Sequence, residues 1–133
     1  MKYKDRINKR ICEFIRSRYA MVDVKPEAGL FNYRCYFNAV EYASLNKNVA
    51  VLEAIYIEDG HPTLHYINRN SKGELLETTL GYRAKDLEYY VIREIHKSDY
   101  KRICGEFDNS LDSWRHQFTN WFERKIIGIE RVL

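Results

Sequence analysis

Three residues that could together carry acyl-transfer chemistry lie far apart in the chain: Cys35, His65 and Glu77. Cys35 precedes apolar residues that recur at helical spacing, which predicts a helix from about Cys35 to Leu45. A thiol in the first turn of a helix lies against unpaired backbone N–H groups and the positive end of the helix dipole, and both favour the thiolate. The thiolate is the form that attacks a carbonyl carbon, so Cys35 is the candidate nucleophile.

His65 and Glu77 are predicted to lie on neighbouring strands of one hairpin. The stretches TLHYINR and ELLETTLGY have strand composition, and a turn signal at residues 70–73 separates them. A loop of three or five residues would place His65 directly opposite Glu77, with the two Cβ atoms about 5 Å apart. The carboxylate would then fix the imidazole tautomer and leave the other ring nitrogen for a thiol. A shift of one residue would separate the two side chains, so this hypothesis depends on the turn.

The elements around these residues predict an α+β fold in a single domain over residues 1–133. An amphipathic helix is expected over about residues 4–21, followed by the Cys35 helix and an antiparallel sheet of about four strands in a meander. C-terminal helices follow, the last with an apolar stripe that includes Trp114 and Trp121. Tyrosines such as Tyr82 and Tyr89 are expected to line the sheet, and a few of them to border a cleft beside Cys35.

Composition and charge narrow the class of protein. The chain has 133 residues, a net charge of +3 and three cysteines. Cysteines that are odd in number and widely spaced indicate reduced thiols, and no pair has the spacing of a zinc site. The N-terminus is too charged for a secretory signal and no apolar run is long enough for a membrane span, which predicts a cytoplasmic protein. Acyl transfer by a thiol needs no cofactor, and none is predicted.

The stretch RCYFNAVEYA resembles the nucleophile helix of papain-like and NlpC-type thiol hydrolases, in particular small, often phage-encoded members. Their pattern of a Cys-Tyr-x-Asn-Ala helix, a strand, a His-aromatic pair and an acid before threonine is met here by the residues Cys35, Tyr36, Asn38, Ala39, His65, Tyr66, Glu77, Thr78 and Thr79. The resemblance covers residues 29–92. It implies a helix that carries the nucleophile and packs on an antiparallel sheet that carries the base.

The resemblance also implies roles for individual residues. Cys35 would be the nucleophile, His65 the base and Glu77 the residue that orients the imidazole. The chain departs from the family where Glu77 replaces the more usual aspartate and where Thr78 replaces an expected proline. No glutamine precedes Cys35 at the papain spacing, and Asn32 is the candidate oxyanion donor together with the backbone N–H of Cys35. The implied substrate is an amide in a peptide, a glutamine side chain or a peptidoglycan-type linkage.

Other interpretations of these residues stay open. A non-catalytic protein on the same scaffold could bind a host protein through its basic N-terminal helix, within which Cys12 is expected to be packed or inert. The pair His61 and His65 has a metal-ligand spacing on a helix, but the neighbouring glycine and proline disfavour a helix there. His61-Pro62-Thr63 and His96-Lys97-Ser98 resemble the motifs of two-histidine phosphoesterases. The C-terminal aromatic stripe could stack on single-stranded nucleic acid, although its helical spacing favours burial.

Overall fold

The structure is a computed structural model that describes residues 3–101. These residues contain two α-helices. Helix α1 spans Tyr3–Arg18 and helix α2 spans Cys35–Leu45. The bounds of α2 are those that the apolar spacing predicts. Helix α1 ends earlier than predicted because Met21 and Val22 pair with a strand instead of continuing the helix. Neither of these helices has the length and apolar character that crossing a membrane requires.

The described residues form one mixed sheet of six strands, in the order β1-β6-β3-β4-β5-β2. Strand β2 runs parallel to β5, and every other pairing in this sheet is antiparallel. Two short helices of the 3₁₀ type cover Gly81–Asp86 and Lys97–Asp99. The strands are β1 (Met21–Val22), β2 (Val24–Pro26), β3 (Ala50–Glu58), β4 (His61–Arg69), β5 (Leu75–Glu77) and β6 (Glu88–Ile95).

The α+β class is confirmed, but the predicted meander of about four strands is wrong. Strand β6 pairs with β3 rather than with β5, and β1 and β2 extend the sheet on its two edges. These two strands have two and three residues, too few for an alternating pattern to be visible in the sequence. The third predicted strand ends at Glu77, because the chain then turns into the 3₁₀ helix that begins at Gly81, with a φ of 50°.

The predictions for the C-terminal part of the chain fall outside the described residues. These are the C-terminal helices and the stripe that includes Trp114 and Trp121. The described residues up to Lys97 form one compact unit. The prediction of a single domain over residues 1–133 reaches beyond the described range and stays a prediction.

The two faces of the central strands have different partners. On one face, apolar side chains of β3, β4 and β6 form a buried cluster that includes Leu52, Ile67 and Tyr89. On the other face α2 packs on β4, where the ring of Tyr36 meets the ring of Tyr66 edge-on with centroids 4.8 Å apart. Successive strand residues point to opposite faces, so His65 shares the face of Ile67 while its neighbour Tyr66 contacts the helix.

Candidate active site

The structure brings His65 and Glu77 into direct contact. His65 Nε2 lies 2.8 Å from Oε1 and 3.0 Å from Oε2 of Glu77. The prediction that the two side chains share a face is confirmed, but the prediction that they lie directly opposite is wrong. Arg69 pairs with Leu75 across a loop over residues 70–74, and this register makes the two residues diagonal neighbours. The longer glutamate side chain spans the diagonal, which an aspartate would do less readily.

Glu77 is a fully buried carboxylate that four groups bind. Besides the His65 ring, Oε1 accepts a hydrogen bond of 2.5 Å from the Tyr89 hydroxyl. Oε2 accepts hydrogen bonds from the backbone N–H groups of Thr79 and Leu80, at 3.0 and 3.1 Å. Burial would raise the pKa of Glu77, but the hydrogen bond and charge of His65, with the Tyr89 hydroxyl and the Leu80 N–H, lower it. The carboxylate is therefore ionised and fixed in direction.

The ionised Glu77 determines which nitrogen of His65 is left for the thiol. A carboxylate accepts hydrogen bonds and donates none, so Nε2 carries the proton in this contact. Nδ1 is then the nitrogen that can exchange a proton with sulfur. Cys35 lies close enough to His65 for its side chain to raise the pKa of the imidazole. Cys35, His65 and Glu77 lie far apart in the chain and come close together in the fold.

The surroundings of His65 favour its protonated form. Burial would lower the pKa of His65, since only 4% of the residue is exposed. The charge and hydrogen bond of Cys35, and then those of Glu77, outweigh burial and raise the pKa. The ring is also flanked by Tyr56, with centroids 5.2 Å apart and the rings nearly perpendicular. An imidazolium at this position would stabilise a negatively charged sulfur beside it.

Cys35 is the first residue of α2 and is partly exposed, whereas Cys12 is buried. The N-cap residue Arg34 makes no side-chain capping hydrogen bond. Its side chain therefore does not compete with the Cys35 sulfur for the N–H groups of the first turn. Those N–H groups and the helix dipole both favour negative charge on the sulfur. The sequence-based placement of a thiol at a helix N-terminus is confirmed.

A buried polar network holds α2 against the strand that carries the histidine. The Asn68 side-chain amide donates to the carbonyl oxygens of Ala39 in α2 and Ala50 in β3, at 2.9 and 3.1 Å. Its Oδ1 accepts a hydrogen bond of 2.8 Å from Thr78, which directly follows Glu77. Asn68 is fully buried, and one side chain therefore links α2 to the strand ends around His65 and Glu77.

One edge of β4 is only partly covered by a strand. Strand β4 pairs with β3 along its whole length, but it pairs with β5 only at Asn68 and Arg69. In the described residues, the edge of β4 next to His65 therefore has no strand partner on the β5 side.

Asn32, the predicted oxyanion donor, lies in a network before α2. Its Oδ1 accepts hydrogen bonds from the Arg34 backbone N–H at 3.0 Å and from the Asn38 amide at 2.9 Å. Its own amide donates to Asn38 Oδ1 at 3.3 Å, and Asn38 also donates to the Thr79 hydroxyl at 2.9 Å. These bonds give Asn32 a role in shaping the loop. One N–H of the Asn32 amide takes no part in these hydrogen bonds. The role of Asn32 as oxyanion donor stays a prediction.

The two other histidines of the described residues, His61 and His96, do not converge on a second site. His61 and His65 lie on one extended strand, which separates their Cα atoms by about 13 Å and prevents them from sharing a metal ion. His61 pairs with Glu58 at one end of β3, whereas His96 follows Ile95, which pairs with Val51 at the other end. Val51 and Glu58 are seven residues apart along β3, which corresponds to about 23 Å. The two motifs of the phosphoesterase interpretation are therefore held apart.

No protein-family model, curated protein or solved structure matches this chain. The resemblance to papain-like and NlpC-type thiol hydrolases therefore stays a prediction. Its residues nevertheless have structural partners within the chain. Tyr36 packs on Tyr66, Asn38 binds Thr79, and Glu77 binds His65.

Proposed function

We propose that this protein is a cysteine amidohydrolase or acyltransferase of the papain-like class, with Cys35 as nucleophile, His65 as base and Glu77 as the orienting residue. One observation carries the proposal: the buried imidazole of His65 has a fixed carboxylate on one nitrogen and the partly exposed thiol of Cys35 beside it. Structural ion-pair networks also perturb pKa values, but a partly exposed thiol at a helix N-terminus beside an imidazole has the surroundings that are typical of reactive cysteines.

The arrangement supports a two-step reaction. The Cys35 sulfur attacks the carbonyl carbon of an amide, a C–S bond forms, and His65 gives its proton to the nitrogen as the C–N bond breaks. The amine leaves and a thioester remains on Cys35. His65 then takes a proton from water, or from an acceptor amine or alcohol, which attacks the thioester and releases the acyl group. Glu77 keeps the ring oriented in both steps and supports its charge.

The substrate class follows from this chemistry. An amide bond in a peptide, a glutamine side chain or a peptidoglycan-type linkage would suit a thiol nucleophile. The alternative is a non-catalytic interaction protein on the same scaffold, in which the three residues only support the core. Thiol reactivity separates these two possibilities.

The test is alkylation of the native chain with iodoacetamide over pH 5–9, with the modification at each cysteine quantified by mass spectrometry. We expect Cys35 to react ~100-fold faster than Cys12 near pH 6, because Cys35 is partly exposed and paired with an imidazolium. Burial raises the pKa of the Cys12 thiol, which makes Cys12 the internal control. Replacement of His65 by glutamine is expected to remove most of the difference. Equal rates at the two cysteines, or a His65→Gln variant that reacts like the native chain, would favour the interaction protein.

A further inference from the structure

Two threonines directly after Glu77 keep their hydroxyl groups in the interior of the protein. Thr78 and Thr79 are only 2% and 1% exposed. The Thr78 hydroxyl donates to Asn68 Oδ1 at 2.8 Å, and the Thr79 hydroxyl accepts from the Asn38 amide at 2.9 Å. A buried hydroxyl is unfavourable unless a hydrogen bond replaces the one that it made with water. These two asparagines and two threonines form a buried polar set, which we call the Asn–Thr clamp.

Asn68 uses both ends of its side-chain amide in this clamp. Besides accepting from Thr78, it donates to the carbonyl oxygen of Ala39 in α2 and to that of Ala50 in β3, at 2.9 and 3.1 Å. Ala39 is four residues after Cys35, which is about one helical turn. Apolar packing between helix and sheet tolerates sliding, because hydrophobic attraction has no direction. Hydrogen bonds have preferred lengths and angles, so those of Asn68 fix the position of α2 on the sheet.

The clamp also holds the backbone that orients Glu77. Thr78 directs its hydroxyl to the side of α2, whereas the adjacent Glu77 side chain binds His65. The backbone N–H groups of Thr79 and Leu80 donate to Glu77 Oε2, at 3.0 and 3.1 Å. The hydrogen bond at Thr78 therefore fixes the same segment of chain that binds the carboxylate.

We infer that Asn68 is a positioning residue, which sets the separation between the Cys35 sulfur and the His65 ring. It does so by holding α2 and the chain after Glu77 at one fixed distance. The inference rests on the proposed function and adds a residue to it. The papain-like pattern has a proline at position 78, which has no hydroxyl, so the contact with Thr78 is a feature of this chain and not of the pattern. A displacement of about 1 Å at a reacting group can reduce a rate ~100-fold.

The experiment measures the pH profile of Cys35 alkylation by iodoacetamide between pH 4 and 9, with mass spectrometry of the modified peptide. The charge of Cys35 acts on the His65 ring, to which Glu77 also binds, and on the hydroxyls of Tyr56 and Tyr66. Burial raises the pKa of both tyrosines, so they stay neutral over this range. An increase of about 1 Å in a charge separation of about 4 Å should move the midpoint of the profile upward by ~0.5 pH unit.

Three variants remove the contact between Asn68 and Thr78. Asn68→Leu and Thr78→Val each delete one partner with little change in volume, and the double variant deletes both. A single change leaves a buried polar group unsatisfied, whereas the double variant replaces the pair by apolar groups and should regain part of the lost stability. We expect the midpoint to rise by ~0.5 pH unit or more in all three variants, including the double variant. A purely structural pair would instead give a profile that recovers together with the stability to urea.

The control is Ile15→Val, a change in a fully buried residue of α1. It lowers stability by leaving a small cavity and removes no hydrogen bond of the clamp. The midpoint of its urea unfolding should fall while the alkylation profile of Cys35 stays native. If Asn68→Leu fails to fold, the milder Thr78→Val decides the test.

Three outcomes are decisive against these expectations. A native profile in Thr78→Val and in the double variant would overturn the positioning role while Cys35 still outpaces Cys12. The same shift in Ile15→Val would also overturn it, since any loss of stability would then move the profile. Equal alkylation of Cys35 and Cys12 in the native chain would instead refute the proposed function itself.

Discussion

Cys35 and Cys12 each lie near a histidine, yet their surroundings prepare them for different chemistry. Cys12 is in the interior of α1 and lines a cleft of about 340 Å³ together with His61. Its sulfur lies 3.4 Å from the Gly60 carbonyl oxygen, and burial raises the pKa of the thiol. His61 is exposed, and its Nδ1 lies 2.9 Å from the Asp59 carbonyl oxygen. Proximity of cysteine and histidine therefore does not by itself make a nucleophile.

The two regions differ in the group that binds the histidine ring. Glu77 is buried and holds His65 in one orientation, and the phenol of Tyr89 with two backbone N–H groups holds Glu77 in turn. A carbonyl oxygen beside His61 fixes one ring nitrogen without adding a negative charge. An imidazolium is stabilised by a carboxylate far more than by a neutral dipole.

The largest expected effect is that of replacing Glu77. Glu77→Ala leaves His65 and Tyr89 without their acceptor in a buried site, which should lower the free energy of unfolding by about 3–5 kcal/mol. Urea denaturation measures the loss. Glu13→Ala, an exposed change beside the Cys12 cleft, should stay within about 0.5 kcal/mol of the native chain. Similar losses in both variants would show that the buried pair has no special weight.

The next prediction concerns acid. The folded pKa of Glu77 is lowered, so its contribution to stability is present above pH ~4.3, the ordinary value for an unfolded glutamate, and is lost as pH falls through the folded value. The pKa of His65 is raised, so its ring is protonated in both states in this range and adds no slope. The native chain should therefore lose up to ~1.4 kcal/mol per pH unit more than Glu77→Gln below pH ~4.3. Parallel acid limbs in urea titrations of the two proteins would contradict this.

A smaller loss is expected when one donor to Glu77 is removed. Tyr89→Phe keeps the buried ring but deletes the hydroxyl that binds Oε1, and hydrogen bonds to charged groups contribute about 1.5–3 kcal/mol. The matched control is Tyr90→Phe, whose hydroxyl binds the partly exposed Glu88 on the opposite face of the same strand. We expect the control to lose less than about 1 kcal/mol in thermal or urea unfolding. Equal losses would place the Tyr89 hydroxyl among ordinary structural contacts.

The sequence predicts the local elements of this fold better than their arrangement. Helical spacing predicts α2, and strand composition predicts β3, β4 and β6. Both signals depend only on residues that are close in sequence. The position of β6 beside β3, and the parallel pairing of β2 with β5, depend on contacts between distant residues that no local pattern records. The two- and three-residue edge strands are stabilised by their partners and have no pattern of their own.

The pairing of His65 with Glu77 could be predicted from the sequence for a different reason. Strand alternation has a period of two, so an odd loop length was enough to place His65 and Glu77 on one face even though the predicted register was two residues off. The residues that support this pair could not be predicted from strand alternation. Tyr89 comes from a strand whose neighbours were predicted wrongly, and Asn68 required knowledge of which backbone carbonyls α2 and β3 leave in reach.

The smallest expected effect belongs to the Cys12 region. His61→Ala should change the alkylation rate of Cys35 by less than about twofold, because a strand separation of about 13 Å from His65 leaves the two rings without direct interaction. Mass spectrometry of Cys35 after a brief exposure to iodoacetamide measures this rate, with His65→Gln as the variant that should lower it. A two-histidine enzyme would show the reverse dependence: any phosphoesterase activity would vanish with His61→Ala and persist with Cys35→Ala. If His61→Ala slowed Cys35 as much as His65→Gln does, the two regions would act as one site, and the distinction between a supported and an unsupported histidine would fail.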